Sequence, residues 1–439
     1  MKSDRSLPVA IVGGGFSGTM VAAHLARKGV DAVLIEGNGR LGRGIAYSTT
    51  EPAHVLNVCA ESMSAWVADP DHFANWFERQ GGEAAGFAPR LLFGRYLDSV
   101  LEDATASGKV ALANQKAVAA VPNADGWTVA LDSGESIEAS AVVLAHGNQP
   151  PDEFPMSESE RFIGNPWSRE AHEAIADAAE QSADVLIVGT GLTMIDTVLS
   201  LDAAGHRGRI TALSRRGLIP HAHADHTPSP VELYEVPKGS ARNLLRWLRK
   251  RAARDGWRAA VDSLRPHSHF VWQSLPIEEQ KRFMRHARPW WDVRRHRIAP
   301  EVAQRMHELI ALGQLEIVAG RLAEITDAGD SLDIRIVRRG GERELQLHVA
   351  YAFNSTGPLH AMSRTKDVML RQMLDDGLIQ PDRLGVGLEV DERSRVVGSD
   401  RVWAMGPLTK GRYWEIVAVP DITGQAAAVA EDIAMELGR

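Results

Sequence analysis

The stretch Val9-Ala10-Ile11-Val12-Gly13-Gly14-Gly15-Phe16-Ser17-Gly18, followed by an alanine-rich helical run and then by Asp31-Ala32-Val33-Leu34-Ile35-Glu36, decides how this chain is read. Four apolar residues make a strand, the glycines make a tight turn, and the helix beyond offers its free N-terminal N–H groups to an anion. A second strand then ends on an acid, which completes a βαβ unit of dinucleotide-binding type. Gly13 serves the turn, Gly15 lets backbone approach a pyrophosphate, and Gly18 lets the helix lie close on the strand. Phe16 and Ser17 stand at the helix start, and Glu36 is placed to accept hydrogen bonds from a ribose.

A second turn of this kind, Gly189-Thr190-Gly191-Leu192-Thr193-Met194, follows the apolar strand Val185 to Val188. Met194 stands where a third small residue is expected, so looser packing of helix on strand is predicted. The next strand, Ile210 to Leu213, ends on Ser214-Arg215-Arg216 rather than on an acid. A carboxylate there would repel a 2′-phosphate, whereas guanidinium groups hold one at about 1.5 to 3 kcal/mol per charged hydrogen bond. That difference favours NADPH over NADH by about tenfold to a hundredfold, with NADH still usable. The alternative for the two arginines is a solvated charge run.

The repetition extends past the glycines. A three-stranded meander (Ala117 to Val121, Trp127 to Leu131, Glu135 to Glu138) and a strand Ala141 to Ala145 lead to His146-Gly147-Asn148. In the second half Leu322 to Ile325, Leu332 to Val337, Glu344 to His348 and Ala350 to Phe353 lead to Ser355-Thr356-Gly357-Pro358. The fold class expected is therefore α/β, with two Rossmann-like, three-layer dinucleotide-binding domains, each carrying a β-meander, and a helical insertion in the second. The first domain is expected to be discontinuous, 1–165 and 345–439, and the second to span 166–344 with a basic helical insert at about 225–300.

Composition agrees. A chain of 439 residues, 44% hydrophobic and 24% charged, can bury two ordinary cores. The longest apolar candidate for a membrane span, from Val185, is broken by Asp196, and only four apolar residues precede Gly13, too few for a signal peptide. No membrane partner and a cytoplasmic location are expected. Cys59 is the only cysteine, which removes disulfide frameworks and dithiol redox centres. His221, His223 and His226 lack an associated carboxylate cluster, so a loop rather than a metal site is expected.

The segment Arg242 to Arg297 breaks the repeat. It holds 15 Lys and Arg against 5 Asp and Glu, so it carries +10 while the rest of the chain carries −18, and it holds five of the eleven tryptophans. Leu244, Leu245, Trp247 and Leu248, then Trp257, Val261 and Leu264, recur at helical spacing. Three uses suit such a segment: a cap with solvated or paired arginines, an entrance that attracts an anionic substrate, or a nucleic-acid surface with arginines on phosphates and tryptophans on bases. A whole-chain pI near 6.1 weighs against nucleic acid.

Longer blocks carry a family resemblance. Gly42-Arg43-Gly44-Ile45-Ala46-Tyr47-Ser48, His54-Val55-Leu56-Asn57-Val58, Met63-Ser64, Asp69-Pro70 and Phe73 resemble the segment that follows the FAD motif in bacterial FAD/NAD(P)-binding flavoproteins of the urate hydroxylase and aspartate N-monooxygenase group. So do Gly189 to Asp196, Ser214 to Pro220, Trp290-Trp291-Asp292 with Arg295-His296-Arg297, and Gly406-Pro407-Leu408-Thr409 running on to Trp414-Glu415. The resemblance implies FAD in the first domain, NAD(P)H in the second, and hydroxylation with O2. Phe162-Ile163-Gly164-Asn165 starts like a Baeyer–Villiger fingerprint, but Ser168 and His172 stand where its histidine and tryptophan belong. His146 replaces the threonine of the usual Ala-Thr-Gly turn, and Gly406-Pro407 replaces a Gly-Asp pair. Gly147 and Gly406 are expected beside the flavin, below a terminal helix starting at about Thr423.

The expected function is that of an FAD-dependent, NAD(P)H-using monooxygenase that hydroxylates a small anionic, nitrogen-containing metabolite through a flavin C4a-hydroperoxide. Urate, at C5, is the first candidate. The alternatives are N-hydroxylation of an amino acid or amine, an NAD(P)H:flavin oxidoreductase without oxygen transfer, and a nucleic-acid-associated flavoprotein. Asn57, Trp291, Arg295 and Arg297 are the candidate catalytic or substrate-side residues. The partners implied are the small-molecule substrate and O2.

Overall fold

The structure is a computed structural model that describes residues 7–154, 158–341 and 344–439. Residues 1–6, 155–157 and 342–343, which fall within the two expected domain spans, lie outside the described residues. The chain opens with β1 (Val9–Val12), α1 (Phe16–Arg27) and β2 (Ala32–Ile35), then runs through α2 (Gly44–Tyr47), α3 (His72–Arg79) and α4 (Arg90–Ala106) to β3 (Val110–Ala113). The meander β4 (Ala117–Asn123), β5 (Gly126–Leu131) and β6 (Ser136–Ala139) precedes β7 (Ala141–Leu144). A short strand β8 (Phe162–Ile163) and α5 (Arg169–Gln181) lead into β9 (Val185–Val188), α6 (Leu192–Ala203) and β10 (Ile210–Ser214). Five helices follow: α7 (Ala241–Asp255), α8 (Trp257–Leu264), α9 (Ser268–Ser274), α10 (Ile277–His286) and α11 (Arg288–Arg295). Then come α12 (Pro300–Ala311), β11 (Leu315–Asp327), β12 (Leu332–Arg338), β13 (Glu344–Val349) and β14 (Tyr351–Asn354). The chain closes with α13 (Val368–Asp375), β15 (Val402–Ala404) and α14 (Val419–Glu436).

Two sheets carry the expected repeat. The first is parallel throughout, in the order β15-β7-β1-β2-β3. All four residues of the central strand β1 are buried, as an unbroken apolar run requires of a parallel strand covered on both faces. On one face α1 lies between α4 and α14, where Met20 and Leu25 join Phe93, Leu97, Val429 and Ile433 in one core. On the other face the β4–β6 meander and α13 close a second core through Trp127, Val129, Met369 and Met373.

The second sheet runs β13-β12-β11-β10-β9-β14-β8. Here the meander is not a separate layer. β11 pairs in parallel with β10 through Ala319, and from Gly320 onward it pairs antiparallel with β12 around a bulge between Leu322 and Glu324. The strand expected at Leu322 to Ile325 is the far half of this 13-residue strand. A Cβ at Gly320 would stand 2.8 Å from Val337 O, so glycine lets the strand run straight on where the first half interposes Asn114 to Lys116.

Sheet membership also bears on the domain boundaries. β8 pairs with β14, and β14 with β9, so Phe162–Ile163 and Tyr351–Asn354 belong to the second sheet. The expected spans assign both strands to the first domain, whereas here they pair within the second sheet. The chain passes from the first sheet to the second after β7 and returns after β14. The terminal helix starts at Val419, a turn earlier than expected, because Pro420 suits its first turn, where a backbone N–H has no intrahelical acceptor.

Candidate dinucleotide and substrate site

Each nucleotide turn leans on the strand that leaves its own sheet. Gly13 has φ +109°, and a Cβ there would lie 2.3 Å from Ala145 O, just past β7. Gly189 has φ +122°, and a Cβ there would lie 2.0 Å from Ser355 O, just past β14. Only glycine fits either position. A Cβ at Gly18 would lie 1.9 Å from Gly13 O, which is the close packing of helix on strand expected there. In the second unit the wholly buried Met194 fills that role.

Both helices that open from these turns start without a capping side chain and without an acid in the first turn. Their N-terminal N–H groups are therefore left for an anion. Around the first turn, Glu36 Oε2 accepts from Gly14 N at 3.0 Å, and Oε1 accepts from Asn38 N at 2.8 Å and Asn38 Nδ2 at 3.0 Å. The carboxylate is thus held over the turn, where the sequence placed a ribose acceptor. Gly15 differs from expectation. A Cβ there would meet Gly44 Cα at 3.3 Å, so this glycine is also needed by the protein's own backbone. Phe16 is buried in a ring cluster, with Tyr47 at 6.4 Å and Phe93 at 6.2 Å, and buried Ser17 lies beneath Gly406, whose Cβ would stand 2.7 Å from its hydroxyl. These two side chains support the turn and only their backbone faces it.

His146, next to Ala145, is the strongest indication that the first cradle is built for a bound group. Its side chain is 8% exposed, its Nε2 lies 3.6 Å from Asp367 Oδ1, and its Nδ1 is buried with no partner. Burial pushes the imidazole below its ordinary pKa, against the pull of Asp367 and Glu36. An orphaned polar atom of this kind calls for a ligand group. Gly147, at φ +67°, has open space where a side chain would be. Lys410, held to about 8 by burial, donates to Leu359 O at 3.3 Å nearby.

Around the second turn, Gly191 likewise faces open space, and Leu192 and Thr193 are half-buried. The Ser214 hydroxyl is committed to the turn itself, accepting from Thr190 Oγ1 at 2.8 Å and from Gly217 N at 3.0 Å. Arg215 is exposed and Arg216 half-buried, and neither has a partner among the described residues.

The substrate-side candidates separate into three places. Trp291 Nε1 and Arg295 Nε both reach the carboxylate of Glu415, the arginine at 3.0 Å, with only 9% and 4% of the Arg295 and Glu415 side chains exposed. Arg297 is spent inside the insert, donating to Asp262 at 3.1 Å and to Arg294 O at 2.9 Å and lying over the Trp257 ring. Asn57 accepts from His223 Nε2 at 2.9 Å through its backbone carbonyl. The three histidines of the 221–226 loop face different partners: Trp257, Asn57 and Asp262 respectively.

Glu415, which the sequence reading named only as the end of a block of resemblance, is the carboxylate that Trp291 and Arg295 share. Its φ of +73° is a left-handed conformation that a side chain adopts at a cost, and it carries the contact between insert and first domain. Trp272 reinforces that contact by stacking on Trp414 at 4.6 Å and donating to Gly411 O at 2.8 Å. The insert is therefore a cap docked on the 406–418 loop, beside the start of α14.

A protein-family model described as FAD-NAD(P)-binding matches residues 10–149. Among solved structures, the chain is similar to the ornithine N-hydroxylase of Kutzneria sp. 744, in its form with reduced FAD, NADP+ and L-ornithine, at 14% identity and a TM-score of 0.69, over 99% of this chain and 100% of that one. It is similar to the reduced form of the ornithine hydroxylase of Pseudomonas aeruginosa at 12% identity and a TM-score of 0.68, over 99% and 100%. It is also similar to the L-lysine 6-monooxygenase of Pseudomonas syringae at 16% identity and a TM-score of 0.65, over 98% and 99%. At these identities the likeness is one of fold.

Proposed function

We propose that this protein is an FAD-dependent, NAD(P)H-using monooxygenase that hydroxylates the nitrogen of a small amine or amino acid. The observation that carries the reading is the likeness to ornithine and lysine hydroxylases, at TM-scores of 0.65 to 0.69 against 0.55 and 0.58 for disulfide reductases that share the fold. It favours nitrogen hydroxylation over urate, which the family resemblance supplied as a candidate and which the charge and tryptophans of the insert suited.

The first cradle would hold FAD: the Gly13 to Gly18 backbone at the pyrophosphate, Glu36 at the ribose, and His146, Gly147 and Gly406 nearer the flavin. The second would hold NADPH, with the Gly189 to Thr193 backbone at its pyrophosphate and Arg215 and Arg216 at the 2′-phosphate. Bound together, the two supply hydride transfer and the activation of O2. The protein's own share is to place them and to keep water out, which the Trp272–Trp414 stack and the Trp291–Glu415–Arg295 contact do by sealing the cap. A single cysteine leaves no dithiol for a disulfide reductase on this fold.

The test is to follow NADPH oxidation, oxygen uptake and peroxide release with L-ornithine, L-lysine, L-aspartate and urate. An N-hydroxylated product with peroxide below the NADPH consumed is expected for an amine. Peroxide equal to NADPH in every case, or product from urate alone, would defeat the reading.

A further inference from the structure

We infer that His146, held in one tautomer by Asp367, accepts a hydrogen bond through Nδ1 from a ribityl hydroxyl of FAD. The inference rests on the assignment of FAD to the first cradle and deepens it, because it gives the flavin half of the cofactor a side chain that reads its sugar chain.

The sheet fixes where that side chain stands. β1 lies between β2 and β7, with Val12 level with Ile35 on one side and with Leu144 on the other. The glycine turn that leaves β1 is therefore flanked by Glu36, just past β2, and by Ala145 and His146, just past β7. The contact on the second flank is close: a Cβ at Gly13 would stand 3.0 Å from His146 N. Neighbouring strands lie about 4.8 Å apart, so the two flanks are separated by about 10 Å across the turn. Between them the uncapped N-terminus of α1 suits a diphosphate. A dinucleotide laid along this edge with one sugar at Glu36 brings the sugar on the other side of the diphosphate to His146, and in FAD that sugar is the ribityl chain.

Asp367 decides which ring nitrogen is free. It is the N-cap of α13, where Oδ1 accepts from Leu370 N at 3.0 Å. Its segment is tied to the exit of β7, because Thr365 Oγ1 donates to Gln149 Oε1 at 3.1 Å and accepts from Asp367 N at 3.2 Å. So placed, Asp367 Oδ1 lies 3.6 Å from His146 Nε2 and favours the tautomer with its proton there. Nδ1 then carries a lone pair, in a side chain only 8% exposed, and has no partner among the described residues. A buried acceptor without a donor is costly. Burial also disfavours the charged ring, so His146 is not the cation for the diphosphate. An ionised phosphate has no proton to give and would repel the lone pair, whereas a hydroxyl donates to it.

The experiment is exchange of the FAD of the full-length holoenzyme against its 2′-, 3′- and 4′-deoxyribityl analogues, with the retained flavins separated and quantified. One analogue is expected to compete about tenfold less well than FAD. In His146→Phe, which keeps a ring and removes the lone pair, that analogue should compete as well as FAD. Nitrogen-15 NMR of the wild-type holoenzyme gives a reading that needs no variant: His146 Nε2 should carry the proton, and the Nδ1 resonance should move when FAD is replaced by the weak analogue. Equal competition by all three analogues in wild type, a proton on Nδ1, or the same tenfold deficit in His146→Phe overturns the inference and leaves FAD in the cradle. A protein that takes up no FAD at all removes the cofactor assignment itself.

Discussion

At the scale of the residue, the proposed second ribose position gives a direct test of the charge reading. Among the described residues Arg215 and Arg216 have no partner while Ser214 is tied into its own turn, so two cations are free to take a phosphate and the serine is not. Replacing both arginines by Ala is expected to raise the Michaelis constant for NADPH about tenfold to a hundredfold and to leave that for NADH nearly unchanged. Steady-state kinetics with both nucleotides checks this, and equal shifts would show that the side chains decorate the surface. The roles of single glycines were harder to read. Gly13 and Gly18 were legible because the turn sequence demands them, but the closeness of Gly15 to Gly44 depends on how the 28 intervening residues fold back. The left-handed backbone of Glu415 had no sequence signal at all, since the positions that favour this conformation normally carry glycine.

At the scale of the element, the amphipathic pattern of the insert was legible and its destination was not. Leu244, Trp247 and Leu248 turn toward Val231, Leu264 and Val271 as their spacing predicts. That the far side of the insert lands on Glu415 follows from tertiary packing, which no window of sequence contains. Glu415→Gln keeps the shape and removes the charge, leaving Arg295 buried without its partner. A loss of about 3 to 5 kcal/mol in denaturant stability is expected, largely recovered in Glu415→Gln/Arg295→Met. A loss under 1 kcal/mol would show that the seam is wet.

The end of α11 gives a pH test. Burial holds His296 at about 4 against 6.5 in the unfolded chain. The unfolded state therefore binds the proton first, and stability is lost as pH falls from about 6.5 to 4. In His296→Gln this part of the fall in melting temperature should be smaller than in wild type. Identical slopes would mean that the ring is solvated.

At the scale of the whole molecule, the two domains are bolted at points remote from the crossings. Arg90 of α4 reaches Asp196 of α6 at 2.9 Å, with side chains 11% and 8% exposed, and His54 bonds to Ser200 Oγ and Asp196 O, each at 3.0 Å. Asp196 was visible as the acid that interrupts the apolar run from Val185, but its partner, 106 residues away, was not. Arg90→Met should cost about 3 to 5 kcal/mol and quicken amide exchange along α6, while Arg90→Met/Asp196→Leu should restore much of both. Unchanged exchange would show that the seam of the insert alone fixes the domains. The repeat itself was legible, because two turns, two arrays of strands and their order all agreed. The fusion of the second meander with its sheet was not, because it follows from long-range strand pairing in which Gly320 passes close to Val337 O. One consequence of the glycine contacts reaches furthest. The carbonyls on which the two turns rest, Ala145 O and Ser355 O, belong to residues at which the chain is already leaving its domain. Each cradle therefore takes its floor from a segment that also serves as a road to the neighbour. A graft that cut the chain at either crossing, to trade one nucleotide module for a relative's, would carry off the walls of the site and leave its floor behind.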